Sequence, residues 1–288
     1  MLKPDFIQAG VMGWPVGHSL SPRVHGFWLK ELGLNGDYVR LPVEPEYFVE
    51  KLKALKDDGF AGCNVTVPHK EAALKNVDEV HPLAERIGAV NTIKVQEDGS
   101  LYGFNTDGFG FLENLRHEIQ GGTVGFDPKS GPAVILGAGG AARAVVVSLL
   151  DAGTPEIRLL NRTRTRAEDL AQEFLDFGAG NIIVEDWDHR SDCLQNAALL
   201  INTTTLGMQG QRPLEIDLKA LPQAAVVNDI VYAPLETDLL ARAKAQGNQV
   251  VDGLGMLLHQ ARPGFEAWFG QMPEVSAALR TYVLAEKP

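Results

Sequence analysis

The chain has 288 residues, 45% of them hydrophobic and 22% charged, the balance of a globular protein long enough for two cores. A formal net charge of −11 argues against a nucleic acid or an anionic membrane as partner. The cysteines, Cys63 and Cys193, lack metal-site spacing and a disulfide pattern, and no apolar run approaches the ~20 residues that span a bilayer. With no apolar signal segment at the N-terminus, we expect a cytoplasmic protein without a metal.

Strand and helix patterns alternate through the first part of the chain, which predicts a mostly parallel sheet with helices on its faces. The predicted strands are Ile7–Gly13, Tyr38–Val43, Gly59–Val67, Ala89–Val95 and Leu101–Phe104, the last two flanking the turn Glu97–Ser100. The predicted helices are Arg23–Leu32, Pro45–Lys56, Pro68–Asn76, Pro82–Ile87 and Phe109–Glu118. Ligands of such sheets bind at the carboxyl ends of the strands, so the polar residues there are candidate site residues.

Polar side chains gather where the third strand runs into a helix. Alternation places Asn64 and Thr66 on one face, and Pro68 suits the first helical position, which leaves Lys70 in the first turn. An amide, a hydroxyl and an amine would then meet at the carboxyl end of a strand, as in a ligand site. At this point it is equally open that these groups only satisfy the turn and are solvated.

Four further polar candidates lie elsewhere in this part of the chain. Ser21 is a good N-cap for the first helix, and Ser19, two residues earlier in an extended segment, faces the same way. Capping alone is the favoured role of Ser21, but two hydroxyls on one side of a loop also suit a polyhydroxylated ligand. Asn91 in an apolar strand needs a partner, either backbone or ligand. Asp107 is placed like an N-cap, and capping explains it as well as a ligand does.

A second α/β region begins after the glycine-rich connector Gly121–Gly131. The strand Pro132–Leu136 is followed by the turn Gly137–Ala142 and the helix Arg143–Ala152. This is the G-x-G-x-x-A pattern in a strand–turn–helix context, where the glycines let backbone N–H groups approach a pyrophosphate. The pattern predicts a Rossmann-type dinucleotide-binding domain; a tight turn without a ligand is the alternative.

The next strand, Glu156–Asn161, ends in a basic sequence, whereas NAD-selective sites usually have an acidic residue there. Arg162, Arg164 and Arg166 alternate, which suits a dianionic 2′-phosphate and favours NADP over NAD. A solvated basic turn is the less favoured interpretation, because arginine opposes the positive end of a helix dipole unless an anion binds there.

The remaining elements continue the alternation. The predicted strands are Ile182–Val184, Ala198–Asn202, Ala225–Ile230 and Gln249–Val251, and the predicted helices are Ala167–Phe177, Thr237–Gln246, Met256–Phe269 and Glu274–Leu284. Thr204 follows the second of these strands, so its hydroxyl is expected to face the cofactor. The terminal helices lie beyond the closing strand, and their return to the first domain would make that domain discontinuous.

Seven motifs in this order resemble the shikimate dehydrogenase family of the NADP-dependent aroE type over nearly the whole chain. They are Gly13–Pro22, Asn64–Lys70, Gly88–Thr92, Gly103–Asp107, Gly137–Ala141, Asn161–Thr163, and Gly253–Leu257 with Gln260. The resemblance implies an α/β fold of two domains. Residues 1–106 and 254–288 would form the substrate-binding domain, and residues 107–253 the Rossmann-type NADP-binding domain. Pro263 departs from the family pattern and is expected to kink or shorten its helix.

The resemblance also implies the reaction, the reversible NADPH-dependent reduction of 3-dehydroshikimate to shikimate in chorismate and aromatic amino acid biosynthesis. Lys70, as general acid and base, and Asp107 match the catalytic pair. The positions that hold the substrate are matched by Ser19, Ser21, Asn64, Thr66, Asn91, Asp107 and Gln260, with Tyr232 as a further contact. The NADP(H) positions are matched by Gly137, Ala138, Gly139, Gly140, Ala141, Asn161, Arg162, Thr163, Arg166, Gly253 and Met256.

Two other functions stay open from the sequence. One is a dehydrogenase that uses quinate as well as shikimate, and the other is a non-catalytic NADP-sensing protein on the same scaffold. Lys70 and Asp107 argue against the sensor, because a sensor needs no proton donor. We expect a small-molecule substrate as the partner, no nucleic acid and no membrane, and a monomer or homodimer.

Overall fold

A computed structural model describes residues 6–120, 126–176 and 181–285. The predicted helix end at Phe177 and the first part of the glycine-rich connector lie outside the described residues. The chain divides into two compact units, Met1–Gly110 with Leu257–Pro288, and Phe111–Met256. The domain boundaries that the sequence suggested, at residues 106 and 254, stay a prediction.

Strands and helices alternate as the sequence predicted. The strands are β1 (Ile7–Gly13), β2 (Gly36–Pro42), β3 (Phe60–Val65), β4 (Glu79–Val80), β5 (Thr92–Val95), β6 (Leu101–Phe104), β7 (Ala133–Leu136), β8 (Ile157–Leu160), β9 (Ile182–Glu185), β10 (Leu199–Asn202), β11 (Val226–Asp229) and β12 (Gln249–Val251). The helices are α1 (Ser21–Glu31), α2 (Phe48–Ala54), α3 (Lys70–Asn76), α4 (Pro82–Ile87), α5 (Asp107–Gln120), α6 (Gly140–Asp151), α7 (Arg164–Asp176), α8 (Asp238–Ala245), α9 (Leu254–Phe269) and α10 (Ala277–Leu284). None of these described helices is long and apolar enough to cross a membrane.

The first unit contains a mixed sheet in the order β2-β1-β3-β5-β6-β4. β1 runs parallel to β2 and β3, and β4 runs parallel to β6. β5 is antiparallel to both of its neighbours, since β5 and β6 form a hairpin around the predicted turn. Buried side chains such as Phe48 of α2 and Cys63 of β3 form the core on one face of this sheet.

The C-terminal segment belongs to the first unit and is tied to it by two tryptophans. The Trp268 indole N–H donates to the Ile93 carbonyl at 2.9 Å, and the Trp28 indole N–H donates to the Glu274 carbonyl at 2.9 Å. α9 continues through Pro263 to Phe269, so the predicted shortening of this helix is wrong. A proline removes only one helical hydrogen bond, and the buried Trp268 anchors the turn beyond it.

The second unit contains a sheet in the order β12-β11-β10-β7-β8-β9, in which every pair is parallel. All four residues of β7 are buried, as expected for a strand covered on both faces. The strand order reverses between β7 and β10. In parallel α/β sheets such a switch point is where ligands bind, so the loops after these two strands are the ones to inspect.

The loop before α1 differs from its predicted form. Ser21 is the first residue of α1 and not its N-cap, because Leu20 already has helical backbone angles and takes the cap position. The segment is therefore not extended, and Ser19 and Ser21 are related by a bond: the Ser21 backbone N–H donates to the Ser19 Oγ at 3.3 Å.

Two other local predictions are also wrong. Pro68 follows a cis peptide bond and precedes α3, which begins at Lys70, and Val67 is exposed beyond the end of β3. Asn91 lies in the loop immediately before β5 and not within that strand. In both cases the strand is shorter than the run of apolar residues that predicted it, because apolar residues continue into the adjoining loop.

Candidate active site

A lysine and an aspartate of the first unit form an ion pair, and each is at the start of a helix. Lys70 is the first residue of α3, and Asp107 is the first residue of α5. The Lys70 Nζ lies 2.6 Å from the Asp107 Oδ2, and the two side chains are 22% and 10% exposed. The pair is largely withdrawn from water but still reachable, which a group that exchanges a proton with a ligand requires.

The Asp107 carboxylate is fixed from its other side by asparagines. The Asn91 Nδ2 donates to the Asp107 Oδ1 at 2.8 Å, and the Asn91 Oδ1 accepts the Thr106 backbone N–H at 2.9 Å. The Asp107 backbone N–H donates to the Asn105 Oδ1 at 2.9 Å, so Asn105 has the capping role that the sequence allowed for Asp107. With one oxygen on Asn91 and the other on Lys70, the carboxylate is held in one orientation.

Two residues that the sequence analysis missed join the remaining polar groups. The Tyr38 hydroxyl donates to the Asn64 Oδ1 at 2.6 Å. The Thr92 hydroxyl lies between Asn64 and Asn91 and bonds to both. Burial raises the pKa of Tyr38 well above its ordinary value, so the phenol stays protonated.

The other predicted substrate residues lie around this cluster in different ways. Ser19 contacts it through the Ser21 backbone, and the Gln260 Oε1 of α9 lies 3.5 Å from the Thr106 Oγ1. Thr66 follows β3, where its backbone N–H donates to the Met12 carbonyl at 2.9 Å. Within the part of the chain that the structure describes, no hydrogen bond joins the Thr66 side chain to the cluster. The arrangement offers hydroxyl, amide, ammonium and carboxylate groups to a small polyhydroxylated ligand.

In the second unit, the glycine turn lies at the switch point of the sheet. Gly137 follows β7 with a φ of +114°, and a Cβ there would lie 2.5 Å from the Thr203 Oγ1 in the loop after β10. Gly139 and Gly140 face open space at the start of α6, where added Cβ atoms would meet nothing within 4 Å. Backbone N–H groups at this helix N-terminus are accessible, so the turn fits a dinucleotide diphosphate. Ala138 and Ala141 are half-buried in the same turn.

The three arginines after β8 are not equivalent. Arg164 is the first residue of α7, and its guanidinium bonds to Glu168 at 2.7 Å and to Asp186 at 2.6 Å. Arg162 and Arg166 are exposed, and among the described residues their side chains have no ion pair or hydrogen bond. The alternating pattern suggested all three as phosphate ligands, but Arg164 is already paired with two carboxylates. The turn itself is shaped by Asn161, whose Nδ2 donates to the Thr163 carbonyl at 2.8 Å.

A buried amide–carboxylate pair, which the sequence analysis missed, shapes the loop that carries Thr204. The Asn202 Oδ1 accepts both the backbone N–H and the hydroxyl of Thr204, and the Asn202 Nδ2 donates to the Asp229 Oδ1 at 3.0 Å. Asp229 also accepts the Thr237 hydroxyl at 2.7 Å. Burial raises the pKa of Asp229, although these hydrogen bonds oppose the shift. Asn202 is the last residue of β10 and Asp229 the last residue of β11, and a polar residue at the end of a buried strand is a signal that could have identified them from the sequence.

The last predicted site residues of the second unit are Tyr232, Gly253 and Met256. Tyr232 and Met256 are half-buried, and burial raises the pKa of the Tyr232 phenol. Gly253 is buried against the Ile230 carbonyl, and a Cβ there would collide with that backbone. Residues 6–120, 126–176 and 181–285 contain no group of three or more His, Cys, Asp or Glu side chains that could hold a metal ion.

Comparison with known proteins assigns all three regions of the chain to one family. Residues 11–93 match the model of the shikimate dehydrogenase substrate binding domain, residues 124–209 match that of shikimate / quinate 5-dehydrogenase, and residues 253–281 match the shikimate 5′-dehydrogenase C-terminal domain. A curated relative, shikimate dehydrogenase (NADP(+)) of Paramagnetospirillum magneticum, is 60% identical over 277 residues, which are 96% of this chain and 98% of the relative.

Solved structures agree with this assignment. Shikimate 5-dehydrogenase of Thermus thermophilus, in complex with NADP(H) and shikimate, is 39% identical with a TM-score of 0.84, over 97% of this chain and 99% of that one. Quinate dehydrogenase of Corynebacterium glutamicum, in complex with NAD, is 30% identical with a TM-score of 0.89, over 98% and 100%. The resemblance inferred from the motifs is confirmed: the chain belongs to the shikimate dehydrogenase family.

Proposed function

We propose that this chain catalyses the reversible NADPH-dependent reduction of 3-dehydroshikimate to shikimate, a step of chorismate and aromatic amino acid biosynthesis. The observation that carries the proposal is the Lys70–Asp107 pair at 2.6 Å, held by Asn91 among hydroxyl and amide groups. The Paramagnetospirillum relative is named for the same NADP-dependent activity, and the Thermus relative binds NADP(H) together with shikimate.

Lys70 is the general acid in the direction of reduction and the general base in the reverse direction. Its Nζ gives a proton to the oxygen of the reacting carbonyl, and it takes the proton back when shikimate is oxidised. Asp107 accepts a hydrogen bond from the same Nζ and so aims the remaining N–H groups away from the carboxylate. When bound, NADPH supplies the hydride.

The substrate hydroxyls and carboxylate are held by Ser19, Ser21, Asn64, Thr66, Asn91 and Gln260, with Tyr232 as a further contact. Ser21, Asn64, Asn91 and Asp107 are buried, which strengthens each hydrogen bond to a ligand by excluding competing water. A site of this kind discriminates between related polyols, because a missing hydroxyl leaves a buried group unpaired.

The cofactor residues are those of the glycine turn and the arginine turn. Backbone groups of Gly137–Ala141 hold the diphosphate, and Arg162 and Arg166 hold the 2′-phosphate with Asn161 and Thr163 beside them. Gly253 and Met256 lie at the nicotinamide edge, and the Thr204 hydroxyl faces the cofactor. In domain terms, residues 107–253 bind NADP(H), and residues 1–106 with 254–288 bind the substrate. We also propose that the enzyme acts in the cytoplasm as a monomer or homodimer, without a nucleic acid or membrane partner.

A single assay tests this function against its rivals. Absorbance at 340 nm is followed with the purified chain and NADP+ plus shikimate, NADP+ plus quinate, and NAD+ plus each acid. We expect the highest kcat/KM with NADP+ and shikimate. Comparable rates with quinate would establish the dual-specificity enzyme. No absorbance change with either acid, in a chain that a separate titration shows to bind NADP+, would establish the sensor.

A further inference from the structure

Three predicted substrate residues of the first unit, Asn64, Asn91 and Asp107, are joined by a continuous series of buried hydrogen bonds. The series runs from Tyr38 to Asn64, from Asn64 to Thr92 and from Thr92 to Asn91, with donor–acceptor distances of 2.6, 3.0 and 2.8 Å. It continues from Asn91 to Asp107 at 2.8 Å. Thr92, Asn91, Tyr38 and Asn64 are between 0% and 5% exposed, so water does not compete for these bonds.

Two backbone groups set the direction of every bond in this series. The Thr106 backbone N–H can only donate, so the Asn91 Oδ1 must face it, and the Asn91 Nδ2 is turned towards Asp107. The Asn91 backbone carbonyl can only accept, and the Asn64 Nδ2 lies 3.3 Å from it. The Asn64 Oδ1 is therefore turned towards Tyr38, whose hydroxyl must donate.

Thr92 is the residue that lets both amides keep these orientations. Its hydroxyl donates to the Asn91 Oδ1 and accepts from the Asn64 Nδ2, so one group satisfies one amide as donor and the other as acceptor. Asn64 and Thr92 are directly paired across the antiparallel β3 and β5 strands, which sets the two side chains next to each other.

We propose that Thr92 and Tyr38 are positioning residues, which fix the direction of the Asn64 and Asn91 amides and thereby the donors and acceptors that the substrate meets. The inference rests on the proposed function of the same site. Both Asn64 N–H groups are used within the protein, on Thr92 and the Asn91 carbonyl, so Asn64 is left with only acceptor capacity on its Oδ1 for a substrate hydroxyl.

Tyr38 is the first residue in this series of hydrogen bonds, at the end opposite Asp107. Its ring is stacked on His25, with 3.8 Å between ring centroids and 1° between ring planes, so the hydroxyl is held in place by the ring itself. Because the phenol donates to Asn64, its oxygen can only accept a further hydrogen bond.

The decisive experiment removes the Thr92 hydroxyl without changing the side-chain shape. We expect Thr92→Val to lower kcat/KM for shikimate by about ten- to fiftyfold, mostly through a higher KM, because Asn64 and Asn91 each lose a partner. The KM for NADP+ is expected to stay within about twofold, since the cofactor residues lie in the second unit. Thr92→Ser keeps the hydroxyl and is expected to recover kcat/KM to within about threefold of wild type.

Thr154 offers a matched control. It is also a buried threonine, but its hydroxyl has no hydrogen-bond partner among the described residues, and it lies in the second unit. Thr154→Val should leave kcat/KM for shikimate unchanged. Tyr38→Phe is the second test, with an expected rise in the KM for shikimate of about three- to tenfold; it decides the proposal by the same criterion if Thr92→Val does not fold.

The outcomes separate the two proposals. A Thr92→Val enzyme within about twofold of wild type overturns the positioning role, and so does a loss that Thr92→Ser fails to recover and that extends equally to the KM for NADP+. A wild-type chain that binds NADP+ but does not oxidise shikimate refutes the proposed function instead.

Discussion

The site of the first unit is built from buried side chains that bond to one another, whereas Gly139, Gly140, Arg162 and Arg166 at the two turns of the second unit are exposed. The Oδ1 and the Nδ2 of Asn91 are both hydrogen-bonded within the protein, but Arg162 and Arg166 have no side-chain partner in the described residues. The contrast follows the chemistry of the two ligands. A small polyol must be distinguished by the direction of each hydrogen bond, which needs preset groups in a dry site. A dinucleotide carries phosphate charge, which exposed N–H groups and guanidiniums attract without a buried network.

The largest expected effect concerns the catalytic pair in the buried site of the first unit. Lys70→Ala should lower kcat for shikimate oxidation by about 10²–10⁴-fold, with a much smaller rise in KM, because it removes the proton-transfer group. The affinity for NADP+, measured by titration, should not change. Lys75→Ala is the matched control, since Lys75 is an exposed lysine in the last turn of the same helix. A near-normal kcat in Lys70→Ala would exclude the assigned role.

The next largest effect concerns the exposed arginines of the second unit. Replacing Arg162 and Arg166 together by alanine should raise the KM for NADPH by about ten- to a hundredfold and leave the KM for NADH nearly unchanged, because only NADPH carries the 2′-phosphate. Arg164→Ala is the matched control and should have a much smaller effect, since Glu168 and Asp186 already bind that guanidinium. Equal changes for both cofactors would contradict the phosphate assignment.

The smallest effect concerns the stability of the buried side. Burial lowers the pKa of His25 from 6.5 to about 3, and its ring nitrogens have no hydrogen-bond partner among the described residues. As pH falls below 6.5, His25 becomes protonated in the unfolded chain but stays neutral in the folded protein. This difference lowers the free energy of unfolding by about 1.4 kcal/mol per pH unit. The free energy of unfolding, measured by urea unfolding at pH 7, 6 and 5, should depend less steeply on pH in His25→Phe than in wild type. Phenylalanine keeps the stacking on Tyr38. An unchanged slope would refute this origin.

The sequence predicts best what is local along the chain. The strand, glycine turn and helix around Gly137 are contiguous, so their geometry follows from the motif itself. The Asn64–Thr92 contact depends on the register of β3 against β5, and no nearby residue encodes it. Tyr38 reaches Asn64 although β1 lies between their strands, so nothing near Tyr38 in the chain separates it from an ordinary core residue.

Chemistry and placement also differ in how well they can be anticipated. The basic character of the turn after β8 is visible in the sequence, but its division into one paired and two open guanidiniums depends on Glu168 and Asp186. Glu168 lies one turn ahead on the same helix, a spacing that the sequence displays. Asp186 follows a different strand and becomes a partner only through the order of the sheet.

The two indole bonds that tie the C-terminal segment to the first unit have a consequence for synthesis on the ribosome. Residues 111–256 form an uninterrupted unit, which can fold as soon as that stretch has emerged. The first unit must wait, because the partners of Trp28 and Ile93, at Glu274 and Trp268, are translated last. We therefore expect residues 111–256 to fold on the nascent chain before the first unit is complete, although most residues of the first unit are made earlier.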